Sequence, residues 1–231
     1  MTTAAAPATV HALDRFDRTE RVVHWCTAAL GLMLLATGAA LYAGPVSTLV
    51  GRRELVRTVH VYAGILLPIP VALGLLLPRR GRAFRTDVQE LNRFDDDDRR
   101  WLRRRTHSRS RPAKFNAGQK LNAAFLAAAG LVMFATGLML RFPEHFAVDI
   151  RTGATFVHDW FAIGVALAVT GHIVFALRDP DALAGMWRGR VSAAWARHTH
   201  PRWYERVTGR PADRLAGGPD ENPSGRGGGP R

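Results

Sequence analysis

Residues 154–177 read ATFVHDWFAIGVALAVTGHIVFAL. From Trp160 to Leu177 there is no Asp, Glu, Lys or Arg. A soluble helix of that length would carry charge on its solvent face every turn or two. About 20 apolar residues at 1.5 Å each cross a hydrocarbon core of ~30 Å, so the stretch predicts a membrane-spanning helix. Working outward, the same holds three more times. No charged residue occurs from Val22 to Gly51, from Thr58 to Pro78, or from Leu121 to Leu140. Spans are expected at about residues 22–42, 55–77, 118–140 and 154–177. Pro68 and Pro70 lie inside the second, which predicts a kink or a break there. The expected fold class is all-α, an integral membrane four-helix bundle with cytoplasmic termini.

The whole-chain averages hide this division. The 231 residues carry a formal net charge of +13, and the mean hydropathy is −0.06. Such values invite the reading of a soluble nucleic-acid binder. The charges sit in blocks, however. The segment 79–114 holds 13 Lys and Arg and the segment from Arg178 onward holds 10, while Arg15, Arg18 and Arg21 precede the first span. The other two connections contribute only Arg52 and Arg53, and Arg141 and Arg151. The excess of positive charge on cytoplasmic loops places both termini and loop 79–114 in the cytoplasm of a bacterial-type inner (plasma) membrane. Attraction to anionic lipid accounts for the rest of the basic excess, and no nucleic acid is needed. The single cysteine, Cys26, excludes a disulfide framework and a Cys-based zinc or iron–sulfur site within the chain. Residues 1–13 are Ala-, Thr- and Pro-rich without a basic start, so they read as a disordered arm rather than a signal peptide. Residues 14–204 form the membrane domain, and 205–231 read as a disordered basic tail. No internal repeat of fixed period is visible.

Four histidines fall in or at the edge of the spans: His24, His60, His158 and His172. Polar rings at membrane depth are functional candidates by default. One alone is more often a helix–helix hydrogen-bonding residue. His158 and His172 are 14 apart, which returns them to one helix face within about 40° and separates them by about 21 Å. One helix therefore offers a ligand near each membrane surface. With alternating span direction, depth pairs His24 with His172 on the inner side and His60 with His158 on the outer side. Two His pairs at two depths in a four-helix bundle are what two six-coordinate haems require. Gly31, Gly38, Gly64, Gly130, Gly137, Gly164 and Gly171 would let a porphyrin or a helix come close, though small residues are common in ordinary membrane helix packing. His11, His107 and His145 read as arm, loop and connection residues. His198 and His200 read as surface residues of a basic segment.

The landmarks DRTERVVHW (residues 17–25), His60 with Gly64, KFNAGQK (114–120), the His158/His172 pair and RHTHPRWY (197–204) resemble the gamma subunit of membrane-bound formate dehydrogenase, a four-span di-haem cytochrome b. The resemblance covers about Phe16 to Tyr204. The proline pair, the Asp95–Asp98 run with its following arginines, and the chain ends depart from it. The resemblance implies two haem b groups, the inner held by His24 and His172 and the outer by His60 and His158. It implies electrons arriving from an iron–sulfur beta subunit, fed by a molybdenum- or tungsten-containing alpha subunit that oxidises formate. A quinone, menaquinone or ubiquinone, would accept them near the cytoplasmic face, in a pocket involving Asn116, Gly118, Gln119 and His172. No catalytic residue for formate itself is expected in this chain.

The residues themselves allow more than one reading. Asn116 and Gln119 are three apart and share a face at the start of the third span, which suits a quinone carbonyl but also suits a plain helix N-cap. Arg21 and Arg57 each precede a ligand candidate by three residues, placing them to pair with haem propionates or to anchor the interface. Asp159 follows His158, but helix neighbours point about 100° apart, which disfavours direct pairing. A cytochrome b subunit of a nickel–iron hydrogenase or another reductase, and a haem-free membrane anchor, are the competing functions.

Overall fold

The computed structural model describes residues 11–43, 51–103 and 110–213. Four helical spans form the body. α1 covers Arg18–Tyr42. The second span is divided into α2, Arg53–Leu66, and α3, Pro68–Leu76. Two short helices follow in the hydrophilic loop, α4 at Arg82–Leu91 and α5 at Asp96–Leu102. The third span is α6, Ala117–Arg141, and the fourth is α7, Val148–Leu177. The chain then forms α8, Pro180–Arg188, α9, Ala193–Thr199, and α10, Pro201–Thr208. All four spans are long and apolar enough to cross a membrane. The expected break falls at Leu67, where Pro68 has no N–H to donate. Leu67 keeps right-handed helical angles (−54°, −41°), so the span is interrupted rather than turned back.

The spans close into a ring: α1 packs on α2, α2 touches α6, α6 packs along α7, and α7 touches α1. Few of their side chains are buried within the chain. Leu131, Leu167 and Phe175 are 73%, 70% and 72% exposed. In water such surfaces would drive association; in a bilayer, where helices satisfy their own backbone groups, lipid covers them.

Both described chain ends and the described parts of loop 79–114 (79–103 and 110–114) fold together into a cap at one end of the bundle. Ala12–Asp14 (β1) pairs antiparallel with Arg190–Ser192 (β2), in the register Ala12↔Ser192, Leu13↔Val191 and Asp14↔Arg190. The boundary expected at residue 13 therefore falls inside a strand, and the all-α bundle carries a two-stranded ribbon. Leu13, Val191, Ala196, Trp203 and Tyr204 make the cap's apolar core. Gly189 ends α8 with φ of 84° and its carbonyl accepts from the amides of Arg15 and Phe16. A Cβ there would stand 2.6 Å from the Phe16 carbonyl oxygen, so only glycine fits. α10 continues to Thr208, past the expected start of the tail at 205. His107 and most of the Gly/Arg-rich tail lie outside the described residues.

Three helices begin at the cap with reciprocal capping boxes: Asp17 with Glu20, Asp95 with Asp98, and Asn116 with Gln119. These satisfy helix N–H groups that have no partner within the helix. The Asp95–Asp98 run, with no role assigned from sequence, thus starts α5. At the opposite end α2 and α7 begin without a side-chain cap.

Candidate functional site

The ring of spans brings the four span histidines together in two pairs. His24 on α1 faces His172 on α7, with ring centres 6.2 Å apart and planes at 62°. His60 on α2 faces His158 on α7, with centres 6.4 Å apart and planes at 66°. These are the partners expected from depth along the spans. A metal bound to one nitrogen of each ring, about 2 Å from each, puts facing ring centres roughly 6 Å apart. Among the described residues no group of three or more His, Cys, Asp or Glu comes together to hold a metal ion. Two imidazoles and nothing else suit a metal that brings its own equatorial ligands, which is the case of haem iron.

The His60/His158 pair is braced. The His60 Nδ1 lies 2.9 Å from Thr37 Oγ1, and the His158 Nδ1 lies 2.9 Å from Thr136 Oγ1. Gly38 and Gly137 follow those threonines; a Cβ on either would rest 3.4 or 3.5 Å from the Cε1 of His60 or His158. The sequence reading named Gly38 and Gly137 but missed the threonines. Their signal was available, since Ala-Thr-Gly occurs at 36–38 and again at 135–137. Asp159 does not take the His158 nitrogen; Thr136 does.

The His24/His172 pair is different. Among the described residues neither ring has a hydrogen-bond partner; His24 has Trp25 edge-on at 5.1 Å. The turn of α1 around it is fixed by α8. Trp25 stacks on Trp187 at 4.2 Å and its Nε1 donates to the Met186 carbonyl. Arg21 donates to the Trp187 carbonyl at 2.7 Å. Arg57, at the other end, pairs with Glu54 at 2.7 Å, both side chains well exposed.

The KFNAGQK segment joins cap to bundle, meeting α1 at Glu20, one turn before His24. The Asn116 oxygen accepts from the Gln119 amide at 2.9 Å, and the Gln119 oxygen accepts from the Asn116 amide at 3.0 Å. Helix capping therefore uses the oxygen of each side chain and leaves each NH2 group. Gly118 faces Trp101; a Cβ there would meet its ring at 2.8 Å. Lys114 and Lys120 are buried. Lys114 Nζ binds Asp87 at 2.6 Å and Glu20 at 3.1 Å, and Lys120 Nζ binds Asp98 at 2.6 Å. Burial and the neighbouring Glu20 push the Asp87 carboxyl up to about 8, against the pull of Lys114.

Arg15 and His200 sit deep in the cap. Arg15 donates to the Lys114 carbonyl at 2.9 Å and lies 4.6 Å from the Trp195 ring centre, a cation–π contact. Burial lowers its pKa to about 10. His200 is buried, not on the surface as its basic surroundings suggested. Its Nδ1 donates to the Ala113 carbonyl at 2.7 Å, and burial with the Arg15 charge lowers its pKa to about 3. His198 is exposed.

The comparisons with known proteins point the same way as this geometry. The family model described as prokaryotic cytochrome b561 matches residues 15–189. The formate dehydrogenase cytochrome b556 subunit of Haemophilus influenzae is 25% identical over 197 residues, 80% of this chain and 79% of that protein. The cytochrome b556(Fdn) subunit of the nitrate-inducible formate dehydrogenase of Escherichia coli is 24% identical over 201 residues, 81% of this chain and 88% of its own. The Escherichia coli formate dehydrogenase cytochrome b556(fdo) subunit is 24% identical over 206 residues, 84% of this chain and 92% of its own.

Proposed function

The chain belongs to the prokaryotic cytochrome b561 family, and on that premise we propose that it is the membrane cytochrome b subunit of a formate dehydrogenase complex. It passes electrons from an iron–sulfur beta subunit, fed by a molybdenum- or tungsten-containing alpha subunit, through two haem b groups to menaquinone or ubiquinone. The observation that carries this reading is the pair of facing histidine couples, with ring centres 6.2 and 6.4 Å apart, at opposite ends of one bundle. The relatives named above supply formate as the electron source.

The haems, when bound, supply one-electron transfer between the two membrane surfaces. The chain's own residues do the rest. His60 and His158 hold the group at the uncapped end, and His24 and His172 hold the one beside the cap. Asn116 and Gln119 keep their NH2 groups for a quinone carbonyl, Gly118 between them packs on Trp101, and His172 completes the same proposed site. Reducing a quinone to a quinol takes two electrons and two protons. Gln119 is exposed, so water reaches this segment and supplies the protons. The basic cap is the cytoplasmic side by the positive-inside rule, with both termini in the cytoplasm and the protein in the inner (plasma) membrane. Arg21 and Arg57 are the propionate partners in this reading, each exchanging a present contact for a carboxylate. Electrons entering opposite the side of proton uptake build membrane potential, about 2.3 kcal/mol per charge per 100 mV.

The test is a reduced-minus-oxidised spectrum of the purified complex, with formate as reductant. A low-spin b-type α band that grows on formate addition is the expected result. Absence of any haem band overturns the cytochrome reading. A haem band that ignores formate, in a chain that co-purifies with a nickel–iron hydrogenase, moves the subunit to that donor instead.

A further inference from the structure

We propose that Thr37 and Thr136 are positioning residues that fix His60 and His158 in the Nδ1–H tautomer, making that pair the more strongly donating of the two ligand sites. The proposal rests on the di-haem reading and adds an inequality between the two sites.

One proton at each threonine decides the tautomer. A threonine hydroxyl has a single hydrogen and two lone pairs. Thr37 Oγ1 lies 2.7 Å from the Met33 carbonyl oxygen, four residues back. Thr136 Oγ1 lies 2.8 Å from the Val132 carbonyl oxygen, also four back. A carbonyl only accepts, so each hydroxyl proton goes to its helix backbone. Toward the imidazole each hydroxyl oxygen must then accept, and the donor must be the ring Nδ1–H. With the proton on Nδ1, the lone pair of the neutral ring is on Nε2, the form a metal ligand requires.

The arrangement is built twice. Residues 31–38 read GLMLLATG and residues 130–137 read GLVMFATG. The two stretches lie on α1 and α6, the first helix of each hairpin, and both hairpins start from the cap. Each threonine braces the histidine on the second helix of its own hairpin, Thr37 to His60 and Thr136 to His158. The two braced histidines then face each other. The bundle thus has an approximate two-fold relation between its hairpins at this end. His24 and His172 lie on α1 and α7, outside that relation, and neither has a hydrogen-bond partner among the described residues.

A hydrogen bond from the non-ligating N–H makes an imidazole a stronger donor and fixes its orientation. A stronger donor favours the oxidised metal. The structure therefore implies a lower midpoint potential at the His60/His158 site than the same site would have without its threonines. The direction suits a site that receives electrons first and gives them up to the second.

The experiment is a redox titration of the holo complex, followed at the haem α band together with haem per chain. The variants are Thr37→Val, Thr136→Val, the double Val variant, and Thr37→Ser and Thr136→Ser. Valine keeps the shape and removes the acceptor; serine keeps the acceptor. Each Val variant is expected to raise the midpoint of one haem component and leave the other in place. Both must move the same component although the positions are 99 residues apart. The double variant should shift it further or lose that haem, with retention weakened roughly tenfold to a hundredfold, and the Ser variants should titrate as wild type. If both components stay put in the double variant, or the two single variants move different components, or serine behaves as valine, the proposal is wrong. A wild-type complex with fewer than two haems instead overturns the functional reading and takes this proposal with it.

Discussion

At one end of the bundle, His60 and His158 are each held by a threonine hydroxyl, while the helices that carry them begin without a side-chain cap. At the other end, His24 and His172 make no such bond among the described residues, but the protein around them is tied by caps, ion pairs and ring stacking. Capping boxes start α1 and α6 there, and buried ion pairs and Trp25 on Trp187 tie α1 to the cap. The two sites thus take their rigidity from different sources. At the end where α2 and α7 begin without a side-chain cap, each histidine carries its own hydrogen bond. Where a folded cap is present, the surroundings hold the helix and the ring is left without one. A ring without a fixed partner on its second nitrogen also has that nitrogen available. This suits His172, which the proposed function places beside the quinone.

The largest effect should come from removing that ring. His172→Ala should cut haem content from two per chain to one and abolish formate-dependent quinone reduction, as read by pyridine haemochrome content and a quinol assay. His158→Ala should also remove one haem while leaving the Asn116–Gln119 segment intact. If His172→Ala keeps both haems, the pairing of 6.2 Å is not a ligand pair and the distinction between the ends collapses.

Next in size is the tie between cap and bundle. Lys114→Met leaves Glu20 and Asp87 facing each other without their cation, with side chains only 6% and 11% exposed. Breaking a buried pair by removing one partner costs about 3–5 kcal/mol. The thermal midpoint of the detergent-solubilised protein should fall accordingly, and Asp87→Asn in the same background should recover part of the loss. An unchanged midpoint in Lys114→Met would show that the cap does not depend on this contact.

How much of this contrast was legible follows from what periodicity and spacing can carry. The four spans and their His pairs are written in the chain as charge-free runs and a 14-residue interval, and both survive in the coordinates. Pro68 and Pro70 mark the interruption because proline chemistry is local. The cap was not legible. Ala12–Asp14 and Arg190–Ser192 are three-residue strands, too short for any alternation to register, and they are far apart in sequence. His200 looked like a surface residue because its neighbours are Arg197, His198 and Arg202, yet Ala113 and Arg15 bury it from other segments. The threonines were visible only as a repeated Ala-Thr-Gly, whose meaning depends on which histidine the tertiary fold brings alongside.

His200 also gives the cap a pH signature. Its folded pKa of about 3 lies below the 6.5 of a free imidazole. Between those values the unfolded chain binds the proton and the folded one does not, so stability rises with pH. The contribution is fully present above about 6.5 and is lost as pH falls toward 3. Asp87 has the opposite sign: raised to about 8 from 3.8, it favours the folded state most below 3.8 and loses that contribution as pH rises through 8. His200→Gln should flatten the acid side of the stability profile measured by thermal unfolding from pH 4 to 7. A profile as steep as wild type would mean that another group dominates acid unfolding.

The smallest effect tests the uncapped end. Arg57 pairs with Glu54 at 2.7 Å, with side chains 66% and 77% exposed. Exposed ion pairs of this kind contribute little because water and salt screen them. Arg57→Ala should therefore leave the thermal midpoint nearly unchanged, within about 0.5 kcal/mol of stability. If Arg57 exchanges Glu54 for a haem propionate, the same variant should shift the midpoint potential of the His60/His158 haem upon substitution, because a cation beside a carboxylate favours the reduced metal. Glu54→Ala serves as the reference, since it breaks the same surface pair without removing the cation. A potential that moves in Arg57→Ala and not in Glu54→Ala assigns the arginine to the propionate. A potential that moves in neither leaves it as an interfacial anchor, and the threonines as the polar hold on that end.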